Sequence, residues 1–263
     1  MMLRLAVLAI SGWLILLIVP SAAGASEWWR PEGRISWDWQ LTEPINLDRD
    51  VAMFDLDLFD TKAHVVARLK SRGVRTVCYL SAGSWEDWRE DAALFPPEVI
   101  GDPYEGWPGE RWLDIRRIDL LAPLIGQRLE LCRIKGFDAV EPDNIDGYSN
   151  DTGFPLGAED QLRFNRWLAS EAHKRGLSIG LKNDPDQAAE LVGDFDWALT
   201  EDCFAEEWCE QMLPFIKLGK TVFAAEYTDM DMTTAKFCAK AKAFGISAIL
   251  KTRELDSWRR SCP

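Results

Sequence analysis

The most concentrated set of reactive side chains in the sequence is the acidic segment 141–146, Glu-Pro-Asp-Asn-Ile-Asp, which follows a short apolar run. It places the carboxyl groups of Glu141, Asp143 and Asp146 and one amide in a turn directly after a predicted strand. Neighbouring carboxyl groups can be held in different protonation states, so that one donates a proton while another attacks as an anion. Paired carboxyl groups that flank a bond are the usual machinery of glycoside hydrolysis.

Polar side chains also follow the other short apolar runs, at the point where each predicted strand ends. Each of them has an ordinary structural alternative, because an acidic residue after a strand often caps the next helix. For Lys182, two roles are open, namely an ion pair with the neighbouring carboxylates and a contact with substrate. The residues at these strand ends are Trp37, Asp38, Asp55, Asp57, Ser81, Glu141, Asp143, Lys182, Asn183, Glu201, Glu226, Tyr227 and Lys251.

The elements that must position these groups form a repeated unit of helix, glycine and short apolar run. Glycine fits the left-handed residue that ends a helix, and strands that alternate with helices pair in parallel. The glycines of this unit are Gly73, Gly136, Gly176, Gly193, Gly219 and Gly245. The predicted strands are 34–37, 51–54, 74–80, 137–141, 177–181, 195–199, 221–225 and 246–250, with clear helices at 60–72, 119–135 and 158–175.

Eight such units in a chain of this length predict an α/β fold, a single (β/α)8 TIM barrel. A doubly wound open sheet is the alternative, but no glycine-rich phosphate loop follows the first strand. In a barrel of this class the active site lies at the carboxyl ends of the strands, so the residues at the strand ends are expected to share one mouth. The longest connection, 84–118 after the third strand, is a tryptophan-rich loop that either packs on the barrel or offers a platform for a sugar. Its tryptophans are Trp85, Trp88, Trp107 and Trp112.

The N-terminus predicts export. Arg4 precedes an apolar run of 15 residues from Leu5 to Val19, and small residues at 23–25 offer a cleavage site. Residues 1–25 are therefore expected to be a secretory signal peptide and 26–263 the mature barrel, secreted or periplasmic. An uncleaved membrane anchor is the alternative, but the run is shorter than the ~20 residues that span a bilayer. No stable membrane anchor is expected after cleavage.

The six cysteines indicate disulfides, because an even number in an exported chain favours pairing. The expected pairs are Cys78–Cys132, Cys203–Cys209 and Cys238–Cys262, although six cysteines allow many pairings and buried free thiols are the alternative. A zinc site is disfavoured because the sequence has no closely spaced CxxC pair.

Composition limits the classes of function. Forty-three acidic against 30 basic residues give a net charge of −13, which disfavours a nucleic-acid partner. Two histidines leave little room for a multi-histidine metal site, and no metal or cofactor is expected. Segment 141–146 has oxygen ligands that suit a divalent cation, but its spacing is not that of an EF-hand loop. A monomer is expected, and the 13 tryptophans are compatible with a flat ligand such as a sugar.

Several ordered stretches resemble the glycoside hydrolase family 114 barrel, whose named activity is endo-α-1,4-polygalactosaminidase. The block at 136–148 is the most specific of them, and together they span most of the mature chain. The matching stretches are 37–40, 55–60, 78–84, 112–115, 136–148, 180–183, 200–203 and 226–227.

The resemblance implies a retaining endo-hydrolase that acts on α-1,4-linked galactosamine polymer. It implies Asp143, after the fourth strand, as the nucleophile and Glu201, after the sixth strand, as the acid/base, with carboxyl groups about 5–5.5 Å apart. The expected partner is a cationic amino-sugar polysaccharide, attracted by an acidic mouth. The expected substrate-binding residues are Trp37, Asp55, Asp57, Tyr79, Ser81, Glu141, Asp146, Lys182, Asn183, Glu226 and Tyr227.

Two other functions remain open at this point. One is a carbohydrate-binding barrel without turnover that uses the same aromatic and acidic residues. The other is a metal-dependent phosphodiesterase that uses the acids of segment 141–146.

Overall fold

The computed structural model describes residues 28–263, so the predicted signal peptide at 1–25 lies outside the described residues. The strands are β1 (Trp37–Gln40), β2 (Met53–Asp57), β3 (Arg75–Ser81), β4 (Ser84–Glu86), β5 (Ile100–Pro103), β6 (Glu110–Leu113), β7 (Ala139–Asp143), β8 (Ser178–Lys182), β9 (Trp197–Glu201), β10 (Val222–Tyr227), β11 (Ser247–Lys251) and β12 (Arg260–Ser261). The helices are α1 (Ala63–Ser71), α2 (Ile118–Lys135), α3 (Ala158–Lys174), α4 (Ala188–Leu191), α5 (Leu213–Lys217) and α6 (Thr234–Phe244).

The main sheet of residues 28–263 is a curled barrel of eight parallel strands. Its order is β1-β2-β3-β7-β8-β9-β10-β11, and β12 adds to β11 in the antiparallel direction. The first and eighth parallel strands meet through Ser247, whose hydroxyl accepts the Ile35 backbone N–H and whose carbonyl accepts the Trp37 indole N–H, both at 2.8 Å. The predicted TIM-barrel class is confirmed.

The strands end later than the sequence pattern predicts. The first strand was expected at 34–37 and lies at Trp37–Gln40, and the fourth was expected at 137–141 and lies at Ala139–Asp143. The polar end residues stay in the parallel ladder, as shown by the pairing of Ser81 with Asp143. The catalytic candidates are therefore the last residues of strands rather than loop residues.

Each of three neighbouring strands is followed at once by a left-handed residue, which turns the chain sharply. Asn144 follows β7 with φ 60°, Asn183 follows β8 with φ 49°, and Asp202 follows β9 with φ 55°. Asn and Asp tolerate this conformation better than other residues with a side chain. These turns leave the last side chain of each strand at the barrel mouth.

The barrel interior is packed with aromatic rings. Trp37, Trp197 and Phe223 lie in one buried cluster, with the Phe223 ring centroid 5.0 Å from that of Trp37 and 5.6 Å from that of Trp197. A Cβ at Gly180 would lie 2.3 Å from the Trp197 ring, so only glycine at this position leaves room for the indole. These rings fill the interior of the barrel as a packed core.

The long connection after β3 forms a small sheet of its own. Strands β4, β6 and β5 pair in that order, all antiparallel. Trp85 donates its indole N–H to the Ala92 carbonyl at 2.9 Å, and Trp112 is 5% exposed, whereas Trp88 and Trp107 are about half exposed. Packing therefore accounts for two of the four tryptophans.

The inserted sheet docks closely on the end of β7. A Cβ at Gly83 would lie 1.6 Å from the carbonyl oxygen of Asn144, so glycine is required where the insertion meets this strand. The next helix also begins later than expected. It was predicted to start at Asp60, but α1 begins at Ala63, and the Asp57 carboxylate accepts the backbone N–H groups of Phe59 and Asp60.

All six cysteines form the three predicted pairs. Cys78–Cys132 joins β3 to α2, Cys203–Cys209 closes the loop after β9, and Cys238–Cys262 fastens the C-terminal residues to α6. Across residues 28–263, no helix combines the length and the apolar character needed to cross a bilayer.

Candidate active site

The centre of the barrel mouth is the ammonium group of Lys182, the last residue of β8. Its Nζ lies 3.0 Å from Glu141 Oε1, 2.9 Å from Asp143 Oδ1 and 3.0 Å from Glu201 Oε2. These carboxylates come from β7 and β9, the two strands that flank β8, so the sheet order brings them together. Burial alone would lower the pKa of Lys182, but the charges of these three acids outweigh it and hold the pKa well above its ordinary value.

Two of the three acids reach the cleft. The side chains of Asp143 and Glu201 are 18% and 25% exposed, whereas Glu141 and Lys182 are buried beneath them. Because both acids contact the same ammonium, their nearest oxygens are at most about 5.9 Å apart. Inverting glycosidases separate their two carboxyl groups by about 6.5–9.5 Å to admit a water, and retaining enzymes hold them at about 5–5.5 Å.

The two exposed acids differ in the number of donors they accept. Asp143 accepts the Tyr79 hydroxyl at 2.9 Å on Oδ2 and the Asn144 backbone N–H at 2.9 Å on Oδ1, in addition to Lys182. Glu201 accepts the Tyr227 hydroxyl in addition to Lys182. Three donors on Asp143 stabilise its carboxylate form, which is the form a nucleophile needs.

A second pair of carboxyl groups forms the floor of the site. Burial and the neighbouring Glu141 charge raise the pKa of Asp55 well above its ordinary value, and burial raises that of Glu141 to about 7. Both oxygens of Asp55 and Oε2 of Glu141 are buried without a hydrogen-bond donor among residues 28–263. A proton held between these two groups supplies the missing donor and removes one negative charge from beneath Lys182.

The turn after β7 is held by a buried polar network from the inserted sheet. The Asn144 side-chain amide donates to Glu110 at 2.7 Å, to the Ser84 hydroxyl at 2.8 Å and to the Ser81 hydroxyl at 3.0 Å. Burial, opposed by the hydrogen bond from Ser84 and aided by the charge of Asp143, raises the pKa of Glu110 to about 7. Through Asn144, this network fixes the position of the adjacent Asp143 backbone.

Most of the predicted site residues converge on this cluster. Asn183 accepts the Glu201 backbone N–H at 3.0 Å, and burial together with the Asp143 charge raises the pKa of Asp146 to about 6. The predicted residues that the structure brings together are Asp55, Tyr79, Glu141, Asp143, Asp146, Lys182, Asn183, Glu201 and Tyr227.

Four predicted substrate-binding residues lie outside the Lys182 cluster, because their buried side chains have partners elsewhere in the protein. Trp37 packs in the barrel core, and Asp57 pairs with Arg89 at 2.8 Å. Ser81 belongs to the Asn144 network. Glu226 accepts the backbone N–H groups of Phe204 and Ala205 at 2.9 and 3.0 Å, which holds the loop after β9.

Three residues of the site were not predicted from the sequence. Trp39 places its ring centroid 4.7 Å from Lys182 Nζ, a cation–π contact, and Asn144 and Glu110 support the end of β7. Trp39 had a signal, since it shares a strand face with Trp37 two residues earlier. Glu110 had none, because nothing in the pattern of segment 84–118 shows which residue folds back to the barrel.

The metal hypothesis depends on where donor atoms meet. Within residues 28–263, the set of donors close enough to share a cation is Cys203, Cys209 and Glu226, and its two sulfurs are bonded to each other. The acids Glu141 and Asp143 instead surround Lys182, whose ammonium already balances part of their charge. The donor set therefore gives no specific support to a metal-dependent phosphodiesterase.

Buried carboxyl groups with raised pKa values predict that stability falls as pH rises from about 5 to 8. The pKa of Glu110 is about 7 in the folded protein, against an ordinary value of 4.5, so in this range the folded state holds a proton that the unfolded state has lost. Glu110→Gln keeps an oxygen acceptor for Asn144, and we expect it to reduce the fall in unfolding free energy by about 1–3 kcal/mol. Urea unfolding at both pH values measures this, with the exposed Glu98→Gln as control. A fall that is equal in wild type and Glu110→Gln would contradict the assignment.

Known proteins resemble this chain in sequence and in fold. The family model of Glycoside-hydrolase family GH114 matches residues 19–263. The crystal structure of Ega3 from Aspergillus fumigatus, in complex with galactosamine, is 33% identical with a TM-score of 0.85, and the match covers 90% of this chain and 99% of Ega3.

Two further relatives are less similar in sequence. The glycoside hydrolase domain of PelA from Pseudomonas aeruginosa is 18% identical with a TM-score of 0.66, over 88% of this chain and 99% of that domain. An uncharacterised protein of Deinococcus radiodurans is 24% identical over 212 residues, which are 72% of this chain and 68% of the relative.

Proposed function

Since the chain belongs to glycoside hydrolase family GH114, a family that acts on O-glycosidic bonds, we propose that it is a secreted, retaining endo-hydrolase of α-1,4-linked galactosamine polysaccharide. The observation that carries this proposal is the shared Lys182 contact, which keeps the nearest oxygens of Asp143 and Glu201 closer together than the carboxyl groups of an inverting pair, with both side chains partly exposed.

In the proposed mechanism, Asp143 is the nucleophile and Glu201 the acid/base. An oxygen of Asp143 bonds to the anomeric carbon as the glycosidic C–O bond breaks, and Glu201 gives its proton to the departing oxygen. Glu201 then takes a proton from water, the water oxygen attacks the anomeric carbon, and the bond to Asp143 breaks. Two displacements from opposite faces return the original α configuration.

Hydrogen bonds from neighbouring residues orient these two acids. Tyr79 and Asn144 N–H hold Asp143 as an oriented carboxylate, and Tyr227 orients Glu201. Three carboxylates surround one ammonium, so the cluster keeps an excess of negative charge. Lys182 is buried, so it acts on substrate through the two acids and not by contact.

The proposed substrate is a cationic amino sugar. The chain has a net charge of −13, and the mouth of the barrel is lined by acids, so a protonated glucosamine-type or galactosamine-type unit is attracted over a distance set by ionic strength. Ega3, the relative solved with galactosamine, supports galactosamine among these.

We further propose export of the chain as a monomeric barrel of residues 26–263 after removal of a signal peptide at 1–25. Three disulfides in residues 28–263 support an oxidising compartment, outside the cell or in the periplasm.

Digestion of partly deacetylated α-1,4-galactosaminogalactan tests the proposal. We expect mass spectrometry to show oligosaccharides of several lengths from the start, as endo-cleavage requires. Proton NMR during the first minutes is expected to show newly formed reducing ends as the α anomer. The β anomer as first product would overturn the retaining mechanism, and binding without any cleavage would identify a carbohydrate-binding barrel.

A further inference from the structure

A groove on the inserted sheet has no role in the proposed catalytic step. It has a volume of about 480 Å³ and lies between the inserted sheet and the turn after β7. The two sides are joined by the backbone N–H of Asp102, which donates to the Thr152 carbonyl at 2.9 Å. Its lining residues are Asp102, Pro103, Tyr104, Glu105, Trp112, Asn150 and Asp151.

The groove is close to the catalytic centre. The negative charges of Asp143 and Asp146 add to burial in raising the pKa of Tyr104, so the Tyr104 hydroxyl lies within electrostatic reach of the proposed nucleophile. Asn150 and Asp151 are only a few residues beyond Asp143 along the chain. A polysaccharide held at the catalytic acids can therefore continue into this groove.

An aromatic pair forms one wall. The ring centroids of Tyr104 and Trp112 are 4.7 Å apart. The Cε3–Cζ3 edge of Trp112 faces Gly147, so the edge that carries the indole N–H points away from that backbone. Trp112 as a whole is only 5% exposed, but its indole nitrogen is not one of the enclosed, unpartnered polar atoms of residues 28–263, so the N–H reaches solvent. This N–H is therefore available to a ligand oxygen in the groove.

Three carboxylates border the aromatic pair without a cationic partner. Asp102, Glu105 and Asp151 are exposed, and within the described chain none of them has a Lys, Arg or His nitrogen within 4.0 Å. Other surface acids do have such partners, for example Asp229 with Arg253 at 2.9 Å. The negative charge of the groove is thus left for a ligand.

We propose that this groove is a distal subsite that binds a protonated, non-acetylated galactosamine unit of the polymer. The apolar face of the sugar packs on the partly exposed ring of Tyr104, a hydroxyl accepts the Trp112 N–H, and the ammonium group meets the three carboxylates. N-acetylation removes the positive charge, so the groove selects chains by their degree of deacetylation. This inference rests on the proposed function for the identity of the sugar.

The test compares two triple variants. One removes the groove charges (Asp102→Asn, Glu105→Gln and Asp151→Asn), and the control removes three exposed acids that do not line the groove (Glu32→Gln, Glu90→Gln and Glu190→Gln). KM is measured on the deacetylated polymer and on a short α-1,4-galactosamine oligomer. We expect the groove variant to raise the ratio of polymer KM to oligomer KM about tenfold at low salt, with kcat on polymer changed much less than KM. The control is expected to keep the wild-type ratio.

Salt and acetylation sharpen the result. At about 0.5 M salt, we expect the difference between the groove variant and wild type to shrink, because exposed charges are screened. Fully N-acetylated polymer is expected to show no difference between them, and Trp112→Phe is expected to weaken binding of both polymers.

Equal KM ratios for the two triple variants would overturn the subsite. A wild-type protein that does not cut the polymer would refute the proposed function alone, since calorimetric binding of the same oligogalactosamine to wild type and groove variant would still decide the subsite.

Discussion

Asp143→Asn and Glu201→Gln are each expected to lower kcat on polymer by at least about 10³-fold, while the fold is retained. Asn cannot form the glycosyl ester, and Gln cannot give a proton to the departing oxygen. Both substitutions nearly keep the shape of the side chain, so the Tyr79 and Tyr227 hydroxyls still have an oxygen to donate to. The exposed Asp60→Asn is the matched control and is expected to keep wild-type kcat.

The two roles can be told apart with an activated aryl α-galactosaminide, whose leaving group needs no acid. Glu201→Gln is expected to release the aryl group rapidly in the first turnover and then stall, because the second step lacks its base. Asp143→Asn is expected to show no such burst. With azide, a Glu201→Ala enzyme is expected to give the α-glycosyl azide, and an Asp143→Ala enzyme the β-glycosyl azide. The reverse pattern would exchange the two assignments.

Lys182→Met is expected to cost about 3–5 kcal/mol of unfolding free energy at pH 8, because it leaves several acids without their counter-ion. The side chain is 1% exposed, and the Glu141 side chain beneath it is fully buried, so water cannot replace the lost charge. Methionine fills a similar volume and keeps the contact with the Trp39 ring, which separates the loss of charge from a loss of packing.

The pH dependence of the loss of unfolding free energy in Lys182→Met is a second test of the role of the ammonium. At pH 5 the uncompensated acids take up protons more readily, so we expect the destabilisation to be smaller there than at pH 8. Adding Glu141→Gln to Lys182→Met removes one of the stranded charges and is expected to restore part of the stability. The exposed Lys242→Met is the control. An unfolding free energy equal to that of the control at both pH values would refute the central role of the ammonium.

The buried Asp55–Glu141 pair explains why the cluster tolerates so many acids. A proton held by this pair lowers the negative charge beneath Lys182, so more of the lysine charge is available to Asp143 and Glu201. The catalytic candidates are thus supported from below by groups that substrate does not reach. Because these supporting groups lie beneath Asp143 and Glu201, most of the residues around the two catalytic candidates are buried.

Much of this site could be predicted from the sequence by itself. The repeated helix, glycine and apolar run determined the barrel class, and the residues at strand ends included Asp143, Lys182 and Glu201. These signals are local, because a glycine after a helix and a polar residue after an apolar run act over a few positions. The barrel class then requires that all strand ends meet at one mouth, so a one-dimensional pattern was enough to place them together.

Only the tertiary structure decided what each of these residues does. Trp37, Asp57, Ser81 and Glu226 have the same sequence signal as the catalytic candidates, but packing turns them toward partners inside the protein. Glu110 reaches Asn144 across 34 positions of the chain, and the groove beside Trp112 exists only because the inserted sheet folds back on the turn after β7. Contacts of this kind depend on side-chain direction and on loop closure over long separations, which no short-range periodicity encodes.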